Sequence, residues 1–277
     1  MGTRDGKKAG SLALPPGPFY RRVLVKLSGE AFAGAQGHGI DGEKVSHIAR
    51  EIRSVYRLGI QVCIVIGAGN IFRGTESKLR YLDRPTADEM GMLATVINGL
   101  ALHSALRAQN IKAHVMSAIS MPEICEPFVR WQAHAYLEQS EVLVCAAGTG
   151  SPLFTTDTAA AVRAAELQCD AIFKGTQVDG VYDSDPHRNP NAKRFLWISY
   201  QHALAKNLQV MDSAALSIAR DAEIPILVFS LEGTNALADA VQGQGTFTMV
   251  SDKPRHLVLH DRRVGERAFG MMEAEEG

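Results

Sequence analysis

Short, nearly continuous apolar runs alternate with helical segments along this chain, and the loops after several runs are rich in glycine and hydroxyl groups. Four such runs end at Leu27, Ile66, Ala147 and Lys174. A run without polar alternation is typical of a strand that is buried on both faces, as in parallel sheets. Between the runs, apolar residues recur at helical spacing, most clearly in the segment 88–109. This pattern predicts an α/β fold, with a mostly parallel sheet sandwiched between helices.

The parallel sheet determines where ligands are expected. Right-handed crossovers place the carboxyl ends of the strands along one edge, and ligands in open α/β sheets bind outside that edge. The loops that follow the four apolar runs are therefore the candidate sites.

Length and composition limit the class of protein. The chain has 277 residues, of which 46% are hydrophobic, which is enough for one large domain. We predict this domain at 20–251, between a disordered extension at 1–19 and a mobile tail at 252–277. The formal net charge of -1 disfavours a nucleic-acid partner, and no apolar run is long enough to predict a membrane span. Four widely spaced cysteines form no C-x-x-C pair, so we predict neither a zinc site nor a disulfide framework, and we expect a cytoplasmic protein.

The first loop, Lys26-Leu27-Ser28-Gly29, ends its strand with a cation, a hydroxyl group and a flexible backbone. A lysine there can meet phosphate charge, and a glycine lets backbone N–H groups approach phosphate oxygens. The alternative is an edge-strand lysine before an ordinary turn.

The second loop, residues 67–74, contains Arg73, whose guanidinium could grip phosphate oxygens bidentately. The loop is not a dinucleotide fingerprint, because Phe72 occupies the third glycine position of G-x-G-x-x-G. The sequence also contains no Walker-type phosphate loop. By itself the segment could equally be only a turn.

Two further loops combine hydroxyl groups, carboxylates and turn signals. Residues 149–157 offer hydroxyl donors at a helix N-terminus, which suits an anion, although Thr156 or Asp157 could serve only as the helix cap. Residues 175–186 contain two turn signals and predict a hairpin or loop excursion. Tyr182 in that loop could cover a nucleotide base.

Taken in order, these loops resemble the amino-acid-kinase family, and within it the bacterial uridylate kinases. The similarity extends over about residues 21–251, and its most specific motifs are Val25-Lys26-Leu27-Ser28-Gly29-Glu30-Ala31, Gly69-Asn70-Ile71-Phe72-Arg73-Gly74, Asp88-Glu89-Met90-Gly91-Met92-Leu93-Ala94-Thr95 and Val178-Asp179-Gly180-Val181-Tyr182. The segment from Gly148-Thr149-Gly150 through Asp157 and the segment Val210-Met211-Asp212 add to the resemblance. The resemblance implies the α/β/α fold of that family and transfer of the ATP γ-phosphoryl group to UMP in pyrimidine nucleotide biosynthesis. It also implies that the N-terminal part of the domain mainly binds UMP and that about 175–251 mainly binds ATP.

The resemblance further implies which residues hold the two nucleotides. Asp88 is expected at the ribose hydroxyls of UMP. Ala68 stands where the family usually has glycine, which is acceptable if its φ is negative. The residues expected at ATP are Lys26, Leu27, Ser28, Gly29, Gly69, Arg73, Thr176, Tyr182 and Asp185. Those expected at UMP are Ala68, Asp88, Thr149, Gly150, Ser151, Pro152, Leu153, Phe154, Thr155 and Thr156.

The mechanism follows from charge. The UMP phosphate has a second pKa of about 6 and is mostly dianionic at neutral pH, so it needs no general base. The obstacle is repulsion between two anions, and catalysis should consist of positioning and electrostatic neutralisation. Lys26 and Arg73 are the candidates for that task, with Mg²⁺ on the ATP phosphates and no direct protein ligand assigned to the metal. Asp212 is predicted to orient the reacting groups, although capping of the helix that follows it is an equal alternative.

The resemblance also implies regulation and assembly. The segment Gly34-Ala35-Gln36-Gly37-His38-Gly39 matches the loop through which family members respond to GTP. The family is typically hexameric and inhibited by UTP. His38 taken alone is more often a solvent-exposed loop residue than a functional one.

Three other functions are weighed against this one. A sibling kinase that acts on a carboxylate or carbamate would have no use for a ribose-binding acid at Asp88. A non-catalytic nucleotide sensor or storage protein would be expected to lose the phosphate-binding cations Lys26 and Arg73. A nicotinamide-dependent dehydrogenase would need the complete glycine fingerprint that Phe72 interrupts.

Overall fold

The computed structural model of the chain describes residues 20–73, 81–186 and 188–252. The predicted extension at 1–19, Gly74 and all but the first residue of the predicted tail lie outside these residues. The described strands are β1 (Arg22–Leu27), β2 (Gln61–Ile66), β3 (Ala113–Ser117), β4 (Glu126–Pro127), β5 (Val142–Ala146), β6 (Ala171–Thr176), β7 (Trp197–Ile198), β8 (Ile226–Ser230) and β9 (Phe247–Val250). The described α-helices are α1 (Gly42–Tyr56), α2 (Arg84–Ala108), α3 (Arg130–Glu138), α4 (Thr156–Glu166), α5 (Tyr200–Ala205), α6 (Ser213–Asp221) and α7 (Ala236–Val241), and a 3₁₀ helix (Gly29–Phe32) follows β1. Within this part of the chain, no helix has both the length and the hydropathy that a membrane crossing requires.

The described strands form one sheet with the order β4-β3-β5-β2-β1-β6-β8-β9-β7. Each neighbouring pair in it is parallel except β8 with β9. Strands β1, β2 and β5 are buried along their whole length, because helices cover both faces of the sheet. The predicted α/β fold, a mostly parallel sheet between helices, is confirmed.

Alternate residues of the central strand enter two apolar layers. Val23 and Val25 pack on the side of α1, α2 and α7, whereas Leu24 packs on the side of α3, α4 and α6. Because successive side chains of a strand point to opposite faces, Lys26 points to the same side as Leu24. Lys174 is the register partner of Lys26 on β6 and points the same way.

Helix α2 begins four residues before its predicted start at Asp88. Asp83 caps its first turn by accepting a hydrogen bond from Thr86 N at 2.8 Å. Pro85 occupies the first turn, where a backbone N–H would have no helical partner. The earlier start places Asp88 inside the helix, with Arg84 one turn before it.

Candidate active site at the carboxyl ends of the strands

Two lysines and one aspartate form a charged centre at the carboxyl ends of β1 and β6. Lys26 Nζ lies 2.5 Å from Asp157 Oδ1, and Lys174 Nζ lies 2.9 Å from Asp157 Oδ2. Lys174 also donates to the carbonyl oxygen of Val210. Asp157 belongs to the first turn of α4, so packing of that helix brings the carboxylate between the two strands. The lysine side chains are only 8% and 16% exposed, so the centre is largely shielded from water.

These charges shift the pKa values of one another. Burial by itself raises the pKa of the Asp157 carboxyl, but the attraction of Lys26 and Lys174 outweighs it, and the pKa lies below its ordinary value. Burial lowers the pKa of Lys174, and pairing with Asp157 offsets only part of that shift. A phosphate that entered this centre would meet two cations at short range in a site with little water, where charge interactions are strong.

Asp212 lies beside the charged centre and caps helix α6. Its carboxylate accepts a hydrogen bond from Ala215 N at 2.8 Å and from the Thr158 hydroxyl at 2.9 Å. The Thr155 hydroxyl also donates to it. Its charge acts on Lys174 as well, in the direction that raises the lysine pKa. The structure thus gives Asp212 a capping role, and its predicted role in orienting the reacting groups stays a prediction.

The first two glycine loops touch each other. A Cβ atom on Gly29 would lie 2.4 Å from Gly69 N and 2.6 Å from Asn70 Oδ1, so this approach requires glycine. The backbone after β1 and the backbone after β2 therefore form one continuous surface. Ala68, within that surface, is not among the described residues with positive φ, so the condition for tolerating alanine there is met.

Arg73 follows the second glycine loop. Its Nε atom donates to the Gly69 carbonyl oxygen at 3.0 Å, and its guanidinium pairs with Glu30 on the 3₁₀ helix. The structure thus places Arg73 against Gly69, and the predicted position of both residues beside the ATP phosphates stays a prediction. It adds a carboxylate partner that the sequence did not indicate.

An open cleft of about 210 Å³ lies between α2, the second glycine loop and the loop after β5. Seven residues predicted at a nucleotide line it: Ala68, Gly69, Asp88, Thr149, Phe154, Thr155 and Thr156. Lining residues that the sequence prediction did not assign to a nucleotide include Arg84, Thr95 and Gly148. Four residues predicted at UMP belong to the same loop but are not among those that line the cleft: Gly150, Ser151, Pro152 and Leu153.

Asp88 faces the cleft from α2 and is held from two sides. Arg84 Nε lies 2.8 Å from each carboxylate oxygen, and Leu153 N donates to Oδ2 at 2.8 Å. Leu153 has a φ of 72°, in the left-handed region that side chains of its kind rarely adopt. Asp88 therefore also fixes the loop after β5 to α2.

Two threonines hold the ends of that loop. Thr95 Oγ1 accepts a hydrogen bond from Ala147 N at 2.7 Å, where the loop leaves β5. The Thr155 hydroxyl caps α4 and accepts from Asp157 N at 3.0 Å. The predicted cap at Thr156 or Asp157 was wrong, because α4 already begins at Thr156 and Thr155 is its cap. The earlier cap leaves the Asp157 side chain to pair with the lysines.

Apart from Gly69 and Arg73, which follow β2, the residues predicted for ATP lie at the end of β1, at the end of β6 and on the loop after β6. Thr176 ends β6, and its hydroxyl bonds within the turn that follows, to Val178 O at 2.6 Å. Tyr182 and Asp185 lie farther along that loop, where the Tyr182 hydroxyl donates to Asp179 Oδ1 at 2.7 Å. The structure therefore brings Lys26–Gly29 and Thr176 to one edge of the sheet, and it places Tyr182 and Asp185 on an excursion from that edge.

The segment 34–39, which was predicted to respond to GTP, lies between the 3₁₀ helix and α1. Gly39 is joined to the second glycine loop twice: Gly39 N donates to Asn70 O at 2.7 Å, and Gly39 O accepts from Asn70 Nδ2 at 2.7 Å. His38 is exposed. The role of this segment stays a prediction.

Lys174 and Asp157 are the two members of the charged centre that the sequence prediction did not assign to the site. Lys174 is a lysine at the end of an apolar run, and Lys26 lies one residue before the end of another, so the same signal could have identified Lys174. Asp157 was predicted only to belong to the hydroxyl-rich loop or to cap the helix. Its pairing with both lysines depends on how α4 packs across β1 and β6, which no local signal predicts.

Comparison with known proteins gives the same family along most of the chain. Residues 21–230 match the model of the amino acid kinase family. The uridylate kinase of Cereibacter sphaeroides is 51% identical over 231 residues, which cover 83% of this chain and 94% of that protein. The uridylate kinase of Brucella anthropi is 51% identical over 235 residues, which cover 85% of this chain and 98% of that protein.

Solved structures agree with the described fold. UMP kinase from Bacillus anthracis matches with a TM-score of 0.82 and 39% identity, over 84% of this chain and 97% of that one. UMP kinase from Ureaplasma parvum matches with a TM-score of 0.80 and 40% identity, over 84% of this chain and 99% of that one. The fold is therefore shared along nearly the whole length of both enzymes.

Proposed function

The chain belongs to the amino acid kinase family, and on that premise we propose that it transfers the γ-phosphoryl group of ATP to UMP, giving ADP and UDP. One observation carries the proposal. The cleft lined by residues expected at UMP opens directly beside the lysine centre, because Thr156 of the cleft and Asp157 of the centre are consecutive residues at the start of α4. An acceptor phosphate in the cleft would therefore lie next to two cations.

We assign charge neutralisation to this centre. An oxygen of the UMP phosphate attacks the γ-phosphorus of ATP, the bond from that phosphorus to the bridging oxygen breaks, and ADP leaves with the electron pair. The attacking phosphate is already largely ionised, so no group has to remove a proton from it. Lys26 and Lys174 supply fixed positive charge where the anions meet, and Asp157 holds the two ammonium groups in place.

Arg73 is assigned to the phosphates as well. In the structure it pairs with Glu30, and the two side chains are 38% and 44% exposed. An ion pair this exposed contributes only about 0–1 kcal/mol. A dianionic phosphate, which a guanidinium can bind through two parallel hydrogen bonds, can therefore displace Glu30.

The acceptor is held by the α2 side of the cleft. We propose that Asp88 accepts hydrogen bonds from the ribose hydroxyls of UMP and that the loop from Thr149 to Thr156 surrounds its phosphate and base. The order of the sheet supports separate places for the two nucleotides. Strands β2 and β5 lie on one side of β1, whereas β6 and β8 lie on its other side. ATP would occupy the second side, near Thr176, Tyr182 and Asp185.

The two carboxylates at the charged centre are already bonded to other groups, which is compatible with a metal ion that binds together with ATP. Both oxygens of Asp157 face lysines, and Asp212 is engaged by a helix N-terminus and two hydroxyl groups. We therefore propose that the ATP phosphates hold Mg²⁺, which commonly keeps few protein ligands in such sites. When bound, the ion would add to the neutralisation of phosphate charge.

We also propose that the protein is a cytoplasmic homohexamer that responds to GTP and is inhibited by UTP, as its resemblance to the family implies. An exposed apolar stripe on α2, formed by Met90, Leu93 and Ile97, supports self-association. The bonds between Gly39 and Asn70 support regulation through the segment 34–39, because movement of that segment would reach the second glycine loop.

An acceptor panel tests the proposed function. Purified protein is incubated with Mg·ATP and with UMP, CMP, AMP or aspartate, and the phosphorylated products are quantified. Turnover with UMP alone is expected. Binding of UMP without turnover would favour a nucleotide sensor, and phosphorylation of aspartate would favour a sibling carboxylate kinase.

The Arg73→Ala variant tests the assignment of that residue. We expect kcat/KM for UMP to fall by ~10²-fold, as after loss of one donor to a transition state. Arg57→Ala is the matched control, because Arg57 is exposed at the far end of α1. A change in Arg73→Ala of less than about threefold, or about 0.6 kcal/mol in the barrier, would show that Arg73 does not act on the phosphates.

A further inference from the structure

We propose that Asn70 and Asn98 are positioning residues that set the distance between the second glycine loop and helix α2, and with it the affinity for the acceptor nucleotide. The proposal rests on the UMP kinase function proposed above. Both side chains are buried, with 2% and 0% of their surface exposed. Neither has a part in the chemistry described so far.

The two side-chain amides bond each other reciprocally. Asn98 Nδ2 donates to Asn70 Oδ1 at 2.8 Å, and Asn70 Nδ2 donates to Asn98 Oδ1 at 3.1 Å. Each amide nitrogen also bonds a backbone carbonyl: Asn98 donates to Gly67 O at 2.9 Å, and Asn70 donates to Gly39 O at 2.7 Å. All the N–H groups of the pair are therefore used. A buried network that is satisfied in this way strongly favours one arrangement, because any shift would leave a donor unpaired.

The pair connects the parts of the site that hold different groups. Asn70 belongs to the second glycine loop, and its Oδ1 atom lies against Gly29 of the first loop. Asn98 belongs to α2, which also carries Asp88 to the cleft. Ala68 of the loop and Asp88 of α2 line the same acceptor cleft, so the bonds between Asn70 and Asn98 fix the spacing between the two elements that line it.

The effect should fall on the acceptor more than on the donor. The lysines of the charged centre are held by Asp157, independently of the two asparagines. A change in the amide pair would therefore displace Ala68 relative to Asp88 and leave Lys26 and Lys174 in place. The expected signature is a raised KM for UMP with a nearly unchanged KM for ATP.

The Asn98→Asp variant tests this with a pH profile. At about pH 9 the introduced carboxyl group is ionised, so it donates no hydrogen bond and faces the oxygen Asn70 Oδ1. We therefore expect the KM for UMP to rise about tenfold and the KM for ATP to change less than about threefold. Protonation gives the carboxyl group an O–H donor, and burial raises the pKa at which this happens. The kcat/KM for UMP of the variant, divided by that of the wild type, should therefore increase as the pH falls from about 9 to about 6. The ratio removes the titration of UMP itself, whose second pKa is about 6.

Leu106→Ala is the matched control, because Leu106 is a fully buried residue farther along the same helix. It should lower Tm by creating a cavity and should leave the ratio of the two KM values unchanged. If Asn98→Asp does not fold, Asn98→Ser replaces it, because serine keeps one hydroxyl donor. For Asn98→Ser we expect a smaller rise, confined to the KM for UMP.

Three results would overturn the proposal: an Asn98→Asp ratio that does not vary with pH, equal changes in the two KM values of the asparagine variant, or the same split of KM values in Leu106→Ala. A wild-type protein that fails to phosphorylate UMP would instead overturn the proposed function, so the two failures are distinguishable.

Discussion

Lys26 and Lys174 are register partners on adjacent strands, so two largely buried ammonium groups lie side by side at the edge of the sheet. Like charges in such a site repel strongly unless a counter-charge lies between them. Asp157 supplies that counter-charge, with one carboxylate oxygen for each lysine. We therefore propose that the same three residues both stabilise the fold and bind phosphate, and each of the two roles can be measured separately.

The Lys174→Met variant tests the catalytic role. We expect kcat/KM for UMP to fall by ~10²-fold, because a fixed cation is lost where charge accumulates in the transition state. The protein should remain folded, since the methionine side chain replaces the apolar stem of the lysine. Lys112→Met is the control, because Lys112 lies just before the amino end of β3, at the opposite edge of the sheet from Lys174. Steady-state kinetics of the two variants would be compared. Equal kinetic parameters in the two variants would contradict the role of Lys174.

The Asp157→Asn variant tests the structural role through its pH dependence. The pKa of Asp157 is lower in the folded protein than its ordinary value, so its ion pairs stabilise the fold above the ordinary pKa. This contribution is lost as the pH falls through the lowered pKa. At neutral pH the variant leaves two buried cations without their carboxylate, and we expect a loss of about 3 kcal/mol in the free energy of unfolding.

The difference between Asp157→Asn and wild type should become smaller below about pH 4, as the wild-type carboxyl group is protonated. Urea unfolding of both proteins at a series of pH values measures this difference directly. Other carboxyl groups titrate alike in the two proteins and cancel. A difference that is constant over the whole acid range would show that Asp157 does not stabilise the fold through its charge.

At the scale of secondary-structure elements, helix N-termini meet the site from two directions. Helix α4 begins at the cleft and brings Asp157 to the lysines, and Asp212 caps the N-terminus of helix α6. Thr158 of α4 donates to Asp212, the cap of α6, so the two helix starts are hydrogen bonded to each other. Asp212 can therefore act as a cap, as a charge beside Lys174, or as both.

Two substitutions at Asp212 separate these roles. Asp212→Ala removes the cap and should reduce the free energy of unfolding by about 1 kcal/mol, whereas asparagine is a good cap and Asp212→Asn should retain most of that stability. If the charge orients the reacting groups, kcat should fall by about tenfold in both variants, a loss of about 1.4 kcal/mol in transition-state stabilisation. Thermal unfolding and steady-state kinetics give the two readouts. A wild-type kcat in Asp212→Asn would assign Asp212 to capping alone.

The elements that could be predicted from the sequence are those whose burial is uniform. Strands β1, β2 and β5 are buried on both faces and appear as apolar runs. Strand β3 was not predicted, because the polar residue His114 interrupts it and hydrogen bonds with Glu126 and Glu141. Strand β7 has two residues, too few for any period to show. The sequence pattern therefore predicts the central strands and misses the edges.

The candidate site shows the same limit. Lys26, Asp88 and the loop after β5 could be placed from the sequence, since each belongs to a motif contiguous along the chain. The partners of these residues could not, because they come from other elements. Glu30 reaches Arg73 from the 3₁₀ helix, and Asn98 reaches Asn70 from α2. Such pairs depend on tertiary packing, which residue spacing alone does not determine.

At the scale of the whole molecule, α2 has two different faces. One face carries Asp88, Thr95 and Asn98 to the candidate site, where each of them bonds a loop. The opposite face exposes an apolar stripe that includes Leu93 and Ile97, each 50% exposed. A surface helix of a monomeric protein more often presents charged or polar side chains to water. The stripe therefore favours burial of this face against a second copy of the chain.

The Ile97→Asp variant tests whether the stripe forms the contact between copies. A charge in the middle of an apolar interface would be buried without a partner, which is unfavourable enough to separate the copies. Light scattering coupled to size-exclusion chromatography should therefore report a smaller mass for the variant than for wild type. Leu58→Asp is the control, because Leu58 is a partly exposed apolar residue just after α1 and should leave the mass unchanged. If Ile97→Asp retains the wild-type mass, assembly does not depend on this face of α2, and the proposed hexamer would have to form through other surfaces.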